Sequence, residues 1–131
     1  MTGMHITATF EITGWQQSTY DEPTDGPPLG EATITKAYTG ALQGTGHVRM
    51  LACQTGENPT DGAGYMAQER VIGSLDGKTG TFVLQHGACG GPGGTEQYGF
   101  VVPNTGTGEL ATLVGTCRVE HGEITLDYHL G

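Results

Sequence analysis

Apolar residues in this chain recur at every second position far more often than at helical spacing, and a period of two marks strands with one face covered. Ile6, Ala8, Phe10 and Ile12 alternate with Thr7, Thr9, Glu11 and Thr13. Segments of the same kind follow at 31–39, 46–54, 65–74, 79–86, 95–102, 114–120 and 123–130, each rich in Val, Ile, Thr, Tyr or Phe. Tyr98, Phe100 and Val102 alternate along one of them and Ile124, Leu126, Tyr128 and Leu130 along another, so these two segments define a buried face most clearly. Turn residues separate the segments: Asp25-Gly26-Pro27-Pro28, Gly56-Glu57-Asn58-Pro59, Asp61-Gly62, Asp76-Gly77, the glycine-rich loop 87–94, and Pro103-Asn104-Thr105-Gly106. Asp and Gly tolerate the positive φ angles of a tight type I′ turn, so Asp76-Gly77 predicts a hairpin between 73–75 and 78–82. Residues 109–113 suit one short helical turn, and no longer amphipathic helix or internal repeat is present.

About eight short strands with regular turns leave a sandwich or a barrel, and sequential hairpins favour an all-β, up-and-down antiparallel β-barrel. The chain's 131 residues form one domain, 1–131, large enough for a hydrophobic core. A barrel of eight strands is just wide enough to be packed solid or to hold one small ligand.

Charge narrows the partners. Five Lys and Arg stand against 14 Asp and Glu, a formal net of −9, with no basic stripe to attract nucleic acid or an anionic membrane. No apolar run reaches the roughly 20 residues of a membrane-spanning helix. Cys53, Cys89 and Cys117 are an odd number at unrelated spacings, and the first ten residues lack the pattern of a secretory signal, which predicts a reduced, cytoplasmic setting. Neither a Cys-x-x-Cys nor a His-Glu-x-x-His occurs, so no metal site or other cofactor is expected.

Glu69, His86 and a set of aromatics are candidates for chemistry. Glu69 lies mid-strand on the face of Tyr65, Ala67 and Val71; if that face is inward, burial raises its pKa and fits it for acid–base work. The competing reading is an outward Glu69, or one paired with an arginine on a neighbouring strand. His86 shares a face with Phe82 and Leu84, while Gln85 goes with Val83 and Thr81, so a regular strand sends only one of Gln85 and His86 inward. The aromatics Trp15, Tyr20, Tyr38, Tyr65, Tyr98 and Tyr128 either line a pocket or fill the core.

Several blocks together resemble the DUF3224 family of domains of unknown function, within the allene oxide cyclase-like barrels. They are Phe10-Glu11-Ile12 with Trp15, Tyr20-Asp21-Glu22, Gly40 with Gly44-Thr45-Gly46, Glu69-Arg70, the run 73–80, Phe82-Val83-Leu84-Gln85-His86, Val101-Val102-Pro103 and Gly106-Thr107-Gly108-Glu109-Leu110. The resemblance implies an antiparallel barrel of about eight strands. Relatives in that superfamily hold a reactive, largely apolar intermediate and direct its ring closure or coupling without a metal. The expectation is therefore a cofactor-independent cyclase or isomerase acting on a hydrophobic small molecule, with Glu69, His86 and Tyr65 catalytic and Trp15, Tyr38, Gln85, Tyr98 and Tyr128 contacting the ligand. The rival is a non-catalytic, lipocalin-like binding barrel, and a third possibility is a structural barrel filled by its own side chains. Such barrels often associate, so a homo-oligomer is a possible state.

Overall fold

Eight antiparallel strands close on themselves in chain order in the computed structural model, which describes residues 3–131. They are β1 (Met4–Asp21), β2 (Leu29–Gly40), β3 (Leu42–Gln54), β4 (Ala63–Leu75), β5 (Lys78–Gly91), β6 (Gly94–Val101), β7 (Val114–Glu120) and β8 (Glu123–His129). Each strand pairs with the next, and β1 pairs with β8 from Met4 opposite Tyr128 to Thr9 opposite Glu123. The sandwich alternative is thereby excluded. No helix is long and apolar enough to cross a membrane among the described residues.

Local chemistry sets the joints. Asp76 and Gly77 both take positive φ, 48° and 83°, as the predicted type I′ turn requires, and β4 returns as β5 with Leu75 opposite Lys78. The first strand is longer than its alternation suggests. It runs to Asp21 because register shifts between Ile12 and Gly14 and between Thr19 and Asp21 break the period of two while the pairing to β2 continues. The glycine-rich run 87–94 is not a loop: β5 extends to Gly91 and β6 starts at Gly94, leaving only Pro92 and Gly93 in the turn. The helical turn is a single 3-10 turn, Gly108–Leu110.

One predicted buried face is shifted by a residue. On β8, Ile124, Leu126 and Tyr128 are buried as expected, but on β6 the inward residues are Gln97, Gly99 and Val101, while Tyr98 and Phe100 face solvent at 51% and 37% exposure. The Tyr98 ring lies over Gly87 of the neighbouring strand, covering backbone that has no side chain of its own.

The interior is layered. One end is a packed core of Ile6, Leu42, Val71, Leu75, Phe82, Leu84, Ile124, Leu126 and Tyr128, plugged by Leu110 and Leu113 from the β6–β7 connection. That connection also pairs with the outer length of β5, through Val102 N–H to the Val83 carbonyl and Thr107 N–H to the Thr81 carbonyl, both 2.9 Å. At the other end a small cluster of Ala32, Ile34, Val48 and Ala67, with Met50 and Tyr65 against it, leaves the barrel open. Charged and polar groups lie between the two.

Candidate active site

Alternation along three strands assembles the middle layer. On β2 the inward residues are Ala32, Ile34, Lys36 and Tyr38; on β4 they are Tyr65, Ala67, Glu69 and Val71; on β5 they are Phe82, Leu84 and His86. Lys36, Glu69 and His86 are the buried charged or titratable polar side chains, and Glu69 has no exposed surface at all. Between β2 and β4, Gly46 of β3 gives Glu69 its room: a β-carbon there would lie 2.9 Å from the Tyr38 ring and against the Glu69 carboxylate.

Every acceptor of Glu69 is engaged. Lys36 Nζ donates to Oε1 at 3.0 Å, His86 Nε2 meets the same oxygen at 3.1 Å, and the Tyr38 hydroxyl donates to Oε2. The Lys36 ammonium also stands 4.2 Å from the centroid of Phe10, whose ring face offers it further stabilisation. No buried side-chain nitrogen or oxygen among the described residues is left without a partner.

These contacts correct the expected ionisation of Glu69. Burial pushes its carboxyl up, but the His86 and Tyr38 hydrogen bonds and the Lys36 charge outweigh burial and hold it below the ordinary carboxylate range. Glu69 is therefore a fixed anion rather than a carboxyl poised near neutrality. Glu69 points inward together with Tyr65, Ala67 and Val71, the direction that alternation left open, and its cation is Lys36, not an arginine. The Tyr38 phenol is pushed up by burial and by the adjacent anion, so it stays protonated and donating. Burial likewise pushes the Cys117 thiol up to about 12, which makes it inert, and all three cysteines are free.

The layer extends toward the open end through one further bond. A carboxylate can only accept, so His86 Nε2 carries the proton that faces Glu69, and in the neutral imidazole Nδ1 is then the acceptor. The Tyr65 hydroxyl lies 3.3 Å from that Nδ1, with the two rings edge to face at 5.9 Å. Burial raises the Tyr65 pKa, so this phenol also holds its proton. Tyr65 lines a recess of about 380 Å³ in the barrel mouth with Met50, Ala52, Gln54 and Ala88, under Pro59 and Thr60 of the β3–β4 connection. That volume is in the range of small-molecule sites. Glu69 and His86 stand behind Tyr65 and reach the recess only through it.

The other expected ligand contacts divide. Tyr38 is inward but sealed behind Glu69. Tyr128 is inward at the plugged end, where its hydroxyl binds Asp76, far from the mouth in strand register. Gln85 points outward, where its side-chain oxygen accepts from Gln68 at 3.2 Å, because His86 takes the inward position. Tyr98 also points outward. Trp15 is half-exposed on the face of the inward Ile34 that it opposes, its indole N–H donating to Gln17 at 2.6 Å, and it is not among the residues that line the recess. Lys36 was not singled out from sequence, although it sits at the alternating position between Ile34 and Tyr38.

Comparison with known proteins adds the following. The profile of the DUF3224 family, described as protein of unknown function, matches residues 6–130. A crystal structure of a protein of unknown function from that family, from Shewanella oneidensis MR-1, is similar over 99% of each chain, with 29% sequence identity and a TM-score of 0.85. No curated protein matches.

Proposed function

We propose, for a chain that belongs to the DUF3224 family of proteins of unknown function, that it is a proton-transfer enzyme of isomerase or cyclase type acting on a hydrophobic small molecule in the barrel mouth. The observation that carries this reading is the unbroken line from Glu69 through His86 to Tyr65, ending at an apolar recess. Glu69 fixes the His86 tautomer and stabilises an imidazolium, while the lone pair on Nδ1 faces Tyr65. The Tyr65 oxygen takes a proton from the carbon beside a ligand carbonyl as its own proton passes to His86 Nδ1, giving an enolate in the recess and an imidazolium held by Glu69. Return of that proton through Tyr65 to another carbon completes an isomerisation; attack of the enolate carbon on a carbonyl carbon of the same molecule, whose π bond opens to an alkoxide that takes the proton back, completes a ring closure. The reading agrees with the resemblance to allene oxide cyclase-like barrels, and it moves Glu69 from proton carrier to positioning residue.

The test uses cyclohexenone in heavy water, with exchange of its enolisable protons followed by NMR. The protein is expected to accelerate exchange saturably, with Tyr65→Phe and His86→Gln each slowing it about 100-fold, a typical contribution of a positioned acid or base. Saturable binding of the ketone with exchange no faster than in buffer would overturn catalysis. It would leave the carrier reading, which the sealing of Glu69 behind Tyr65 favours.

A further inference from the structure

The recess at Tyr65 continues along the inner face of the barrel. Strand pairing puts Tyr65 in one cross-strand row with Ala52 of β3, Gly30 of β2 and Thr19 of β1. Three strand spacings separate Tyr65 from Thr19, about 14 Å along the row. The two side chains between them are the smallest available, and Ala32 flanks them in the next inward row. A second recess of about 410 Å³, lined by Gln17, Thr19, Gly30 and Ala32, shares Met50, Ala52 and Gln54 with the recess at Tyr65. The two therefore form one trough, bedded on small residues and running from β4 to β1.

Strand pairing does not impose the glycine in that bed. A β-carbon at Gly30 would come no closer than 3.4 Å to the Ser18 carbonyl oxygen and 3.9 Å to that of Ala52, and the residue takes no positive φ. A side chain fits the backbone here, so glycine gives up strand propensity for open space on the inner face, as it does where a ligand approaches closely.

The far end of the trough is polar and uncharged. An indole N–H can only donate, so its 2.6 Å bond fixes Gln17 Oε1 as the acceptor and leaves the Gln17 amide N–H groups free to donate along the trough. The Thr19 hydroxyl stands two residues further along the same face. Among the described residues no Lys or Arg lines either recess, and the one carboxylate bordering them, Glu31, alternates outward in a chain of net charge −9. A ligand carboxylate brought here would lose water without gaining a cation.

We infer that the ligand of the mouth is an elongated, uncharged ketone, with its carbonyl end at Tyr65, its alkyl chain over Gly30, Ala32 and Ala52, and a hydroxyl or other neutral oxygen accepting from Gln17 and Thr19. The inference rests on the proposed function for which end reacts, and binding itself does not require catalysis.

Dissociation constants from ligand-observed NMR titrations need no turnover. The probes are butanone, an undecanone with its carbonyl at the second carbon, the same ketone with a terminal hydroxyl, and the matching keto acid. The hydroxyketone is expected to bind at least about tenfold more tightly than butanone, as burial of several methylenes implies, and about tenfold more tightly than the keto acid. Gly30→Val fills the bed with a side chain favoured in strands and should cut the gain over butanone to less than about threefold, with thermal unfolding showing the barrel intact. Gly30→Ala, whose methyl meets only ordinary contacts, should lose part of the gain and keeps the test open if valine disturbs the strand. Thr19→Val should erase the preference for the hydroxylated over the plain ketone. A long ketone binding no better than butanone, a gain unchanged in both Gly30 variants, equal binding of the plain and hydroxylated ketones, or a keto acid binding as tightly as the hydroxyketone would each overturn the inference. Accelerated exchange of cyclohexenone without a chain-length gain removes the trough and keeps catalysis, whereas the gain without exchange removes catalysis and supports a carrier for the same class of ligand.

Discussion

Replacing Lys36 by Met is expected to destabilise the protein by about 3–5 kcal/mol, because it strips the cation from a carboxylate with no access to water. The remaining Glu69, with only Tyr38 and His86 beside it, either stays charged in the interior without the Lys36 ammonium or takes a proton at neutral pH, and both are costly. A neutral partner should relieve the defect. In Lys36→Met with Glu69→Gln, the amide oxygen still accepts from Tyr38, so the double variant should recover more than half of the loss. Urea denaturation of the parent, both single variants and the double variant closes a cycle. A Lys36→Met midpoint within about 1 kcal/mol of the parent would mean that the pair is not the anchor its geometry indicates.

The same pair sets a pH dependence of definite sign. Glu69 is held below its ordinary value of 4.5 in the folded state, so the unfolded chain binds the proton more readily. Its contribution to stability is complete above the unfolded-state value and is lost as pH falls through the lower folded value. Glu109, exposed and bonded to Thr79, is shifted in the same direction, so a raw acid-unfolding curve mixes the two. The difference between parent and Glu69→Gln isolates the buried group. Stability of the variant relative to the parent should improve as pH falls below 4.5; a constant difference across that range would contradict an ionised Glu69.

Gly73→Ala is the second substitution expected to be severe. Gly73 faces Gly44 across β4 and β3, where the backbones approach so closely that a β-carbon at 73 would lie 2.8 Å from the Gly44 α-carbon and against the Gln43 carbonyl oxygen. These are backbone atoms of a paired strand, so rotating a side chain cannot relieve the overlap. The ladder must separate locally, at about 3 kcal/mol or more. The contrasting control is Gly93→Ala, where an added β-carbon meets nothing within 4 Å. Thermal unfolding of both variants reads the difference, and equal midpoints would show that the strands part more easily than their packing implies.

Much of this architecture is legible in the sequence where one face of a strand is covered and the other is wet. On β4 alternation groups Glu69 with Tyr65, Ala67 and Val71 against the polar Gln68 and Arg70, but a carboxylate on that face leaves its direction open, and it is closure of the ring that turns the face inward. On β5 both faces are covered, because the 102–107 connection lies over Thr81 and Val83, so alternation does not decide between Gln85 and His86. Tertiary register decides it, setting Ala67 opposite His86. On β6 Tyr98 covers the Gly87 backbone from outside and Phe100 faces outward with it, so the period of two survives with its phase reversed. Lys36 occupies an apolar face in plain view, but its partner lies 33 residues away, and nothing local announces that a buried lysine has a carboxylate waiting.

The ring is not uniformly joined. From β2 to β5 the strands share ladders of ten or more residue pairs, whereas β6 and β7 meet in ladder register only at Phe100 opposite Thr116. Few backbone bonds must break to part that seam, and the rest of the sheet can stay intact while it does. A cylinder with one weak joint behaves mechanically as a curled sheet with a clasp. Tyr65 and His86 sit on the long, continuous side of the curl and keep their spacing while the clasp works, so the circumference of the barrel can breathe without disturbing the line of groups that ends at its mouth.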